Sequence, residues 1–94
     1  MRVGILVVEI FLPGCASLKD KRRVVRAVKD RTRHRHNVAA AEVDHQERRQ
    51  RATIAFASVA GADGQLDQLF DRIVAEVEEI VPGGVRVTER DILG

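Results

Sequence analysis

The sequence predicts an α+β fold in which a four-stranded antiparallel sheet carries both helices on one face. Three observations lead there. An apolar opening segment is closed by Pro13-Gly14, a strongly amphipathic run extends from Leu66 to Val81, and Gly, Pro and polar clusters cut the remainder into short pieces of strand character. Ninety-four residues, 45% of them hydrophobic, suit one domain spanning 1–94 whose long apolar segments share a single core. No run of apolar residues is long enough to predict a membrane span.

Arg2 to Leu12 is dense in Val, Ile and Leu and reads as the first strand. Its even row, Leu6, Val8, Ile10 and Leu12, is wholly apolar. The odd row, Val3, Ile5, Val7, Glu9 and Phe11, is nearly so, which predicts a central strand covered on both faces. Glu9 interrupts the segment, so its alternation suits a strand better than a secretory leader, and a cytoplasmic protein is expected. The lone Cys15 has no partner for an internal disulfide, and neighbouring Gly14 and Ala16 offer no base to activate it.

Ser17 followed by Asp20 resembles a capping box with Asp in place of Glu, and predicts a helix beginning at Leu18. At about 100° per residue, Leu18, Val24, Val25, Val28 and Thr32 gather on one side, with Lys21 and Arg35 among them. Thr32 weakens that stripe, and Asn37 ends the helix. NVAAAEVDH then reads as a short strand, QERRQ as a polar turn, ATIAFASVA as a third strand and GADG as another turn. Leu66, Leu69, Phe70, Ile73, Val74, Val77, Ile80 and Val81 recur at helical spacing until Pro82-Gly83-Gly84, and VRVTERDIL closes the sheet. The order βαββαβ is the ferredoxin-like arrangement, and right-handed crossovers select it over its mirror image.

LPGCASLKDKRRVVRAVKDR carries an LP...SLK[ED]KR helix start, and HNVAAAEVDHQERRQRATIAFA carries an N-V-...-AEVDHQ...QRA segment. On these motifs, and on the final ERDIL, nearly the whole chain resembles the YlxP-like family of small bacterial proteins. The resemblance implies a ferredoxin-like fold. Because the family's members are often encoded beside translation initiation and ribosome maturation factors, it also implies a connection to the ribosome or RNA. Arg48 and Arg49 stand here where the family usually has a Leu-Trp-like pair. Thr32 and His36 replace bulky apolar residues at the end of the first helix.

Net charge is only +2, but it is unevenly distributed. Between Ser17 and His36 nine Lys and Arg residues face only Asp20 and Asp30. Between Asp63 and Val81 six acids face only Arg72. On a helical wheel Lys19, Arg22, Arg23, Arg26, Lys29 and Arg33 share an arc of about 120°. Lys19, Lys21, Arg22 and Arg23 also crowd the positive end of the helix dipole, where each cation costs about 0.3 to 1 kcal/mol.

The arc predicts a polyanion-binding surface, with ribosomal RNA or the ribosome as partner, formed by Lys19, Lys21, Arg22, Arg23, Arg26, Lys29 and Arg33. Arg48, Arg49 and Arg51 extend it if the hairpin tip lies on the same side. The competing expectation is that Asp67, Asp71 and Glu78 of the second helix face the stripe and neutralise it. With no Trp or Tyr, and with Phe11, Phe56 and Phe70 all in apolar rows, stacking on bases is not expected; binding would be to phosphate and shape.

No catalytic motif appears, and a nonenzymatic role is expected. His34 and His36 point about 200° apart on a helix, while Glu42, Asp44 and His45 match no recurrent metal spacing, so no metal or cofactor is expected. With both helices on one sheet face, Val3, Ile5, Val7 and Phe11 would meet water on the other. That predicts the alternative reading, a homo-oligomer formed through the open sheet.

Overall fold

The structure, a computed structural model, describes all residues 1–94. The chain runs β1 (Arg2–Phe11), α1 (Leu18–Arg35), β2 (Ala39–Asp44), β3 (Arg51–Ala60), α2 (Asp63–Ile80) and β4 (Val85–Leu93). The strands lie in the order β2-β3-β1-β4, every adjacent pair antiparallel, which is the ferredoxin-like α+β fold. No helix is long and apolar enough to cross a membrane.

The two apolar rows of β1 have different fates. Leu6, Val8 and Ile10 are fully buried beneath the helices, packed with Ile54 and Phe56 of β3, Val25 and Val28 of α1, and Phe70, Ile73 and Val77 of α2. Burying side chains of this size stabilises the fold by about 1.5 to 3 kcal/mol each, so this one interlayer core holds the sheet and both helices together. Gly4 continues the row because Phe70 lies against it; a Cβ there would fall 2.6 Å from the ring. Val3, Ile5 and Val7 lie half-buried on the opposite face, which no helix covers, and Phe11 is exposed at the strand's end.

α1 begins as the sequence predicts. The Ser17 hydroxyl accepts from the Asp20 backbone N–H at 3.1 Å, and the Asp20 carboxylate accepts from the Ala16 N–H at 3.2 Å. α2 starts earlier than the GADG turn suggests, since Asp63 and Gly64 already belong to its first turn. Ala62 supplies no cap. Instead, the Gln65 side-chain oxygen reaches back to accept from the Gly61 and Ala62 N–H groups, each at 3.2 Å.

Thr32 is fully buried in α1, and its hydroxyl donates to the Val28 carbonyl at 2.8 Å. What weakens the apolar stripe in sequence is therefore accommodated within the helix itself.

Candidate nucleic-acid interface

Capping fixes the first turns of α1, and Val25, Val28 and Thr32 set the helix's rotation against the sheet. That rotation leaves Lys19, Arg22, Arg23 and Arg26 exposed, lining a surface groove of about 280 Å³ formed by these four residues alone. None of the four takes part in an ion pair, nor does the half-buried Lys29 beside them. Arg33, farther along the arc, is held by Asp30 at 2.9 Å.

The acidic helix does not face this stripe. Asp67 and Asp71 turn toward β4 and pair with Arg90, at 3.5 and 2.8 Å. The other flank of α2 meets the far end of α1. Glu79 pairs with Arg31, and Glu76 accepts from Arg35 at 2.9 Å and lies 2.7 Å from the His36 ring nitrogen. Burial pushes the Glu76 carboxyl up, but the hydrogen bonds and charges of Arg35 and His36 outweigh it and hold the group below its ordinary value. Glu78 pairs with nothing, and the self-neutralised stripe is corrected: antiparallel packing brings α2's acids against Arg31, Arg35 and His36 instead.

Lys21 is also corrected. Its side chain is 1% exposed, so it presents nothing to a phosphate. The ammonium donates to Glu42 Oε2 at 2.8 Å and to the carbonyls of His45 and Gln46 at 2.8 and 3.1 Å, with the Arg51 carbonyl at 3.4 Å. Lys21 thereby ties α1 to the β2–β3 hairpin, where His45 adopts a left-handed φ of 62°. Gln50 adds a second tie: its carbonyl accepts from the Leu12 N–H at 2.9 Å and its side chain donates to the Pro13 carbonyl at 3.3 Å.

These ties place Arg48 and Arg49 at the end of the fold where β1 finishes and α1 begins. Both are exposed and without an acidic partner. Arg51 is different, because its guanidinium pairs with Glu9 at 2.5 Å, a carboxylate only 5% exposed. Its charge is offset, and it lies 5.7 Å from the centre of the Phe11 ring. Phe11, Arg48, Arg49, Gln50 and Arg51 line a second groove, of about 360 Å³. The sequence reading missed this grouping. Its only signal was Phe11's place at the end of the odd apolar row, two residues before Pro13-Gly14.

No group of His, Cys, Asp and Glu side chains is arranged to hold a metal ion. On the open sheet face, Ile5 and the small residues Ala39, Ala41, Ala55 and Ala57 border an apolar depression of about 340 Å³.

The family described as "Protein of unknown function (DUF503)" matches residues 3–91 of this chain. Among curated proteins the chain is similar to "Uncharacterized protein YlxP" of Bacillus subtilis (strain 168). The two are 26% identical over 76 residues, which cover 81% of this chain and 83% of that protein. The family resemblance carried by the LP...SLKDKR and AEVDHQ...QRA motifs is thus upheld.

Proposed function

The chain belongs to this DUF503 family, and from that premise we propose that it is a nonenzymatic, cytoplasmic RNA- or ribosome-associated protein that contacts phosphates through the outer surface of α1. One observation carries the reading. Lys19, Arg22, Arg23 and Arg26 converge on one groove with no acidic side chain paired to any of them. Uncompensated cations on a fixed helix supply the counterion-releasing surface that phosphate backbones bind. Lys19, Arg22 and Arg23 lie near the positive end of the helix, where cations cost stability, and no internal ion pair offsets that cost, which favours an external anion.

The test is fluorescence anisotropy with a labelled ribosomal RNA hairpin across a series of KCl concentrations. The triple variant Arg22→Glu, Arg23→Glu, Arg26→Glu should weaken binding at least about tenfold and flatten the log–log salt slope by about 3. Unchanged affinity and slope would overturn the reading.

A second reading, self-association, is favoured by the open sheet face. Val3, Ile5 and Val7 there adjoin the alanine-lined depression, a contiguous apolar surface that no element of the chain covers. Phe11 lies at the edge of that surface beside charged groups. Sedimentation at rising protein concentration tests this reading; a monomer throughout the series would exclude it.

A further inference from the structure

We propose that the groove between Phe11 and the β2–β3 hairpin receives one unpaired nucleotide of an RNA strand, the base stacking on the Phe11 ring and the phosphate held by Arg48 and Arg49. The proposal rests on the RNA reading above and deepens it. The α1 stripe grips any phosphate backbone, whereas this groove distinguishes a single strand from a duplex.

Phe11 is a large aromatic left 41% exposed at the end of β1, more open than the half-buried Val3, Ile5 and Val7 of the same row. Its backbone is fixed on both sides: it is paired in register with Arg51, and its N–H donates to the Gly84 carbonyl at 2.8 Å. Gly84 packs so closely that a Cβ there would lie 2.5 Å from the Phe11 carbonyl oxygen. The ring therefore stands on a platform that ligand binding need not order.

Arg51 backs the platform. Its Nε donates to Glu9 Oε1 at 2.6 Å, and this nearly buried carboxylate holds the guanidinium over one face of the ring, so the face left to a base is the other one. Paired in this way, Arg51 contributes a planar surface more than a free charge. The free charge comes from Arg48 and Arg49, and Glu47 in the same turn pairs with neither.

A flat π surface beside two unpaired guanidinium groups matches a nucleotide, which offers a flat base and a phosphate together. An anion alone would make no use of the ring. The volume of about 360 Å³ is near the lower end of ligand sites, roughly 300 to 1,000 Å³, and suits one nucleotide. Bases stacked within a duplex cannot enter, while a base splayed from a single strand can.

Two fluorescein-labelled probes test the proposal, a short oligouridylate and a blunt-ended RNA duplex. Phe11→Leu should weaken oligouridylate binding about tenfold and change duplex binding by less than about twofold. Arg48→Gln with Arg49→Gln, both in an exposed turn, should weaken oligouridylate binding and lower its salt slope by about 1. Circular dichroism establishes that each variant is folded.

Unchanged oligouridylate affinity in both variants overturns the proposal. If the α1 charge reversal still weakens duplex binding in that case, the RNA reading survives and only the nucleotide site fails. If the α1 reversal also leaves the duplex unaffected, both fail.

Discussion

His36 Nε2 lies 2.7 Å from Glu76 Oε2, and Arg35 approaches the same carboxylate from the neighbouring position at 2.9 Å. The last turn of α1 and its cap thus close on one buried acid of α2. The contact joins the two helices at the end of α1, where a charged clasp takes the place of apolar packing.

The clasp predicts a specific acid sensitivity. The folded Glu76 carboxyl is held below its unfolded value of about 4.3, so the folded state binds fewer protons at this site. Its stabilisation is complete above that value and is lost as pH falls through the folded pKa. Glu76→Gln should cost about 1 to 3 kcal/mol at pH 7 and flatten the stability profile below pH 5. Urea unfolding at a series of pH values checks both. An unaltered acid limb would refute the assignment.

Lys21 and Glu42 form the second clasp, deeper than the first. Removing the ammonium strands a largely buried carboxylate and takes the donor from the carbonyls of His45 and Gln46. Lys21→Met should therefore destabilise by about 3 to 5 kcal/mol, and Lys21→Met with Glu42→Leu should recover part of that loss. Urea midpoints decide it. Lys21→Met should leave the salt slope of RNA binding intact wherever the protein is folded, since Lys21 reaches no surface.

Lys21 shows how far the site was legible in the sequence. The helical wheel places it on the side of Val25 and Val28, which is where a buried residue belongs, yet its charge groups it with Arg22 and Arg23. What settles the matter is an acid 21 residues away on the helix-facing row of β2, and nothing local announces that acid. Asp67 and Asp71 repeat the lesson. Their spacing on α2 is plain, but their partner Arg90 depends on which face of β4 meets the helix. The fold itself was readable because two apolar rows in β1 and one long stripe in α2 leave few ways to bury so much surface. Local patterns report which face is apolar, while ion pairs between elements depend on the tertiary arrangement.

Arg33 sits within the basic arc but pairs with Asp30 at 2.9 Å, both groups well exposed. Such pairs contribute about 0 to 1 kcal/mol, and the shared charge weakens its attraction for phosphate. Arg33→Gln should shift RNA affinity by less than about threefold, well short of Arg26→Gln, in the same anisotropy titrations. Equal losses from the two would mean that the stripe extends the full length of the helix.

Thr32 offers a stabilising substitution. Its hydroxyl donates to the carbonyls of Val28 and Lys29 within α1, at 2.8 and 3.1 Å, and no other element supplies it a partner. The Val28 carbonyl sits one turn earlier in the helix, and one turn later the His36 N–H donates to the Thr32 carbonyl, so the backbone pattern continues past Thr32 without its hydroxyl. Thr32→Val keeps the shape and the β-branching, removes a polar atom from a fully buried site and leaves the helical ladder in place. Stability should be unchanged or rise by up to about 1 kcal/mol, read from urea midpoints. A loss above about 1 kcal/mol would show that the hydroxyl is needed by the backbone it touches.

Gly4 marks the opposite limit, a place where one methyl group is too much. An added Cβ would meet two Phe70 ring carbons at 2.6 and 2.9 Å and a Leu66 methyl at 3.2 Å. Phe70 is fully buried within the core that joins α2 to β1, so it cannot swing away without disturbing Ile73 and Val77 behind it. Strand backbone at Gly4 suits alanine, so the entropic effect of the substitution is stabilising, by about 0.4 to 1 kcal/mol, and any net loss comes from the clash. Gly4→Ala should destabilise by about 1 to 3 kcal/mol. Gly64→Ala, with nothing within 4 Å of its added carbon in the first turn of α2, should instead be neutral or stabilising. Thermal unfolding of the two variants side by side checks the pair. Equal midpoints would mean that Phe70 packs less tightly on β1 than the 2.6 Å approach requires.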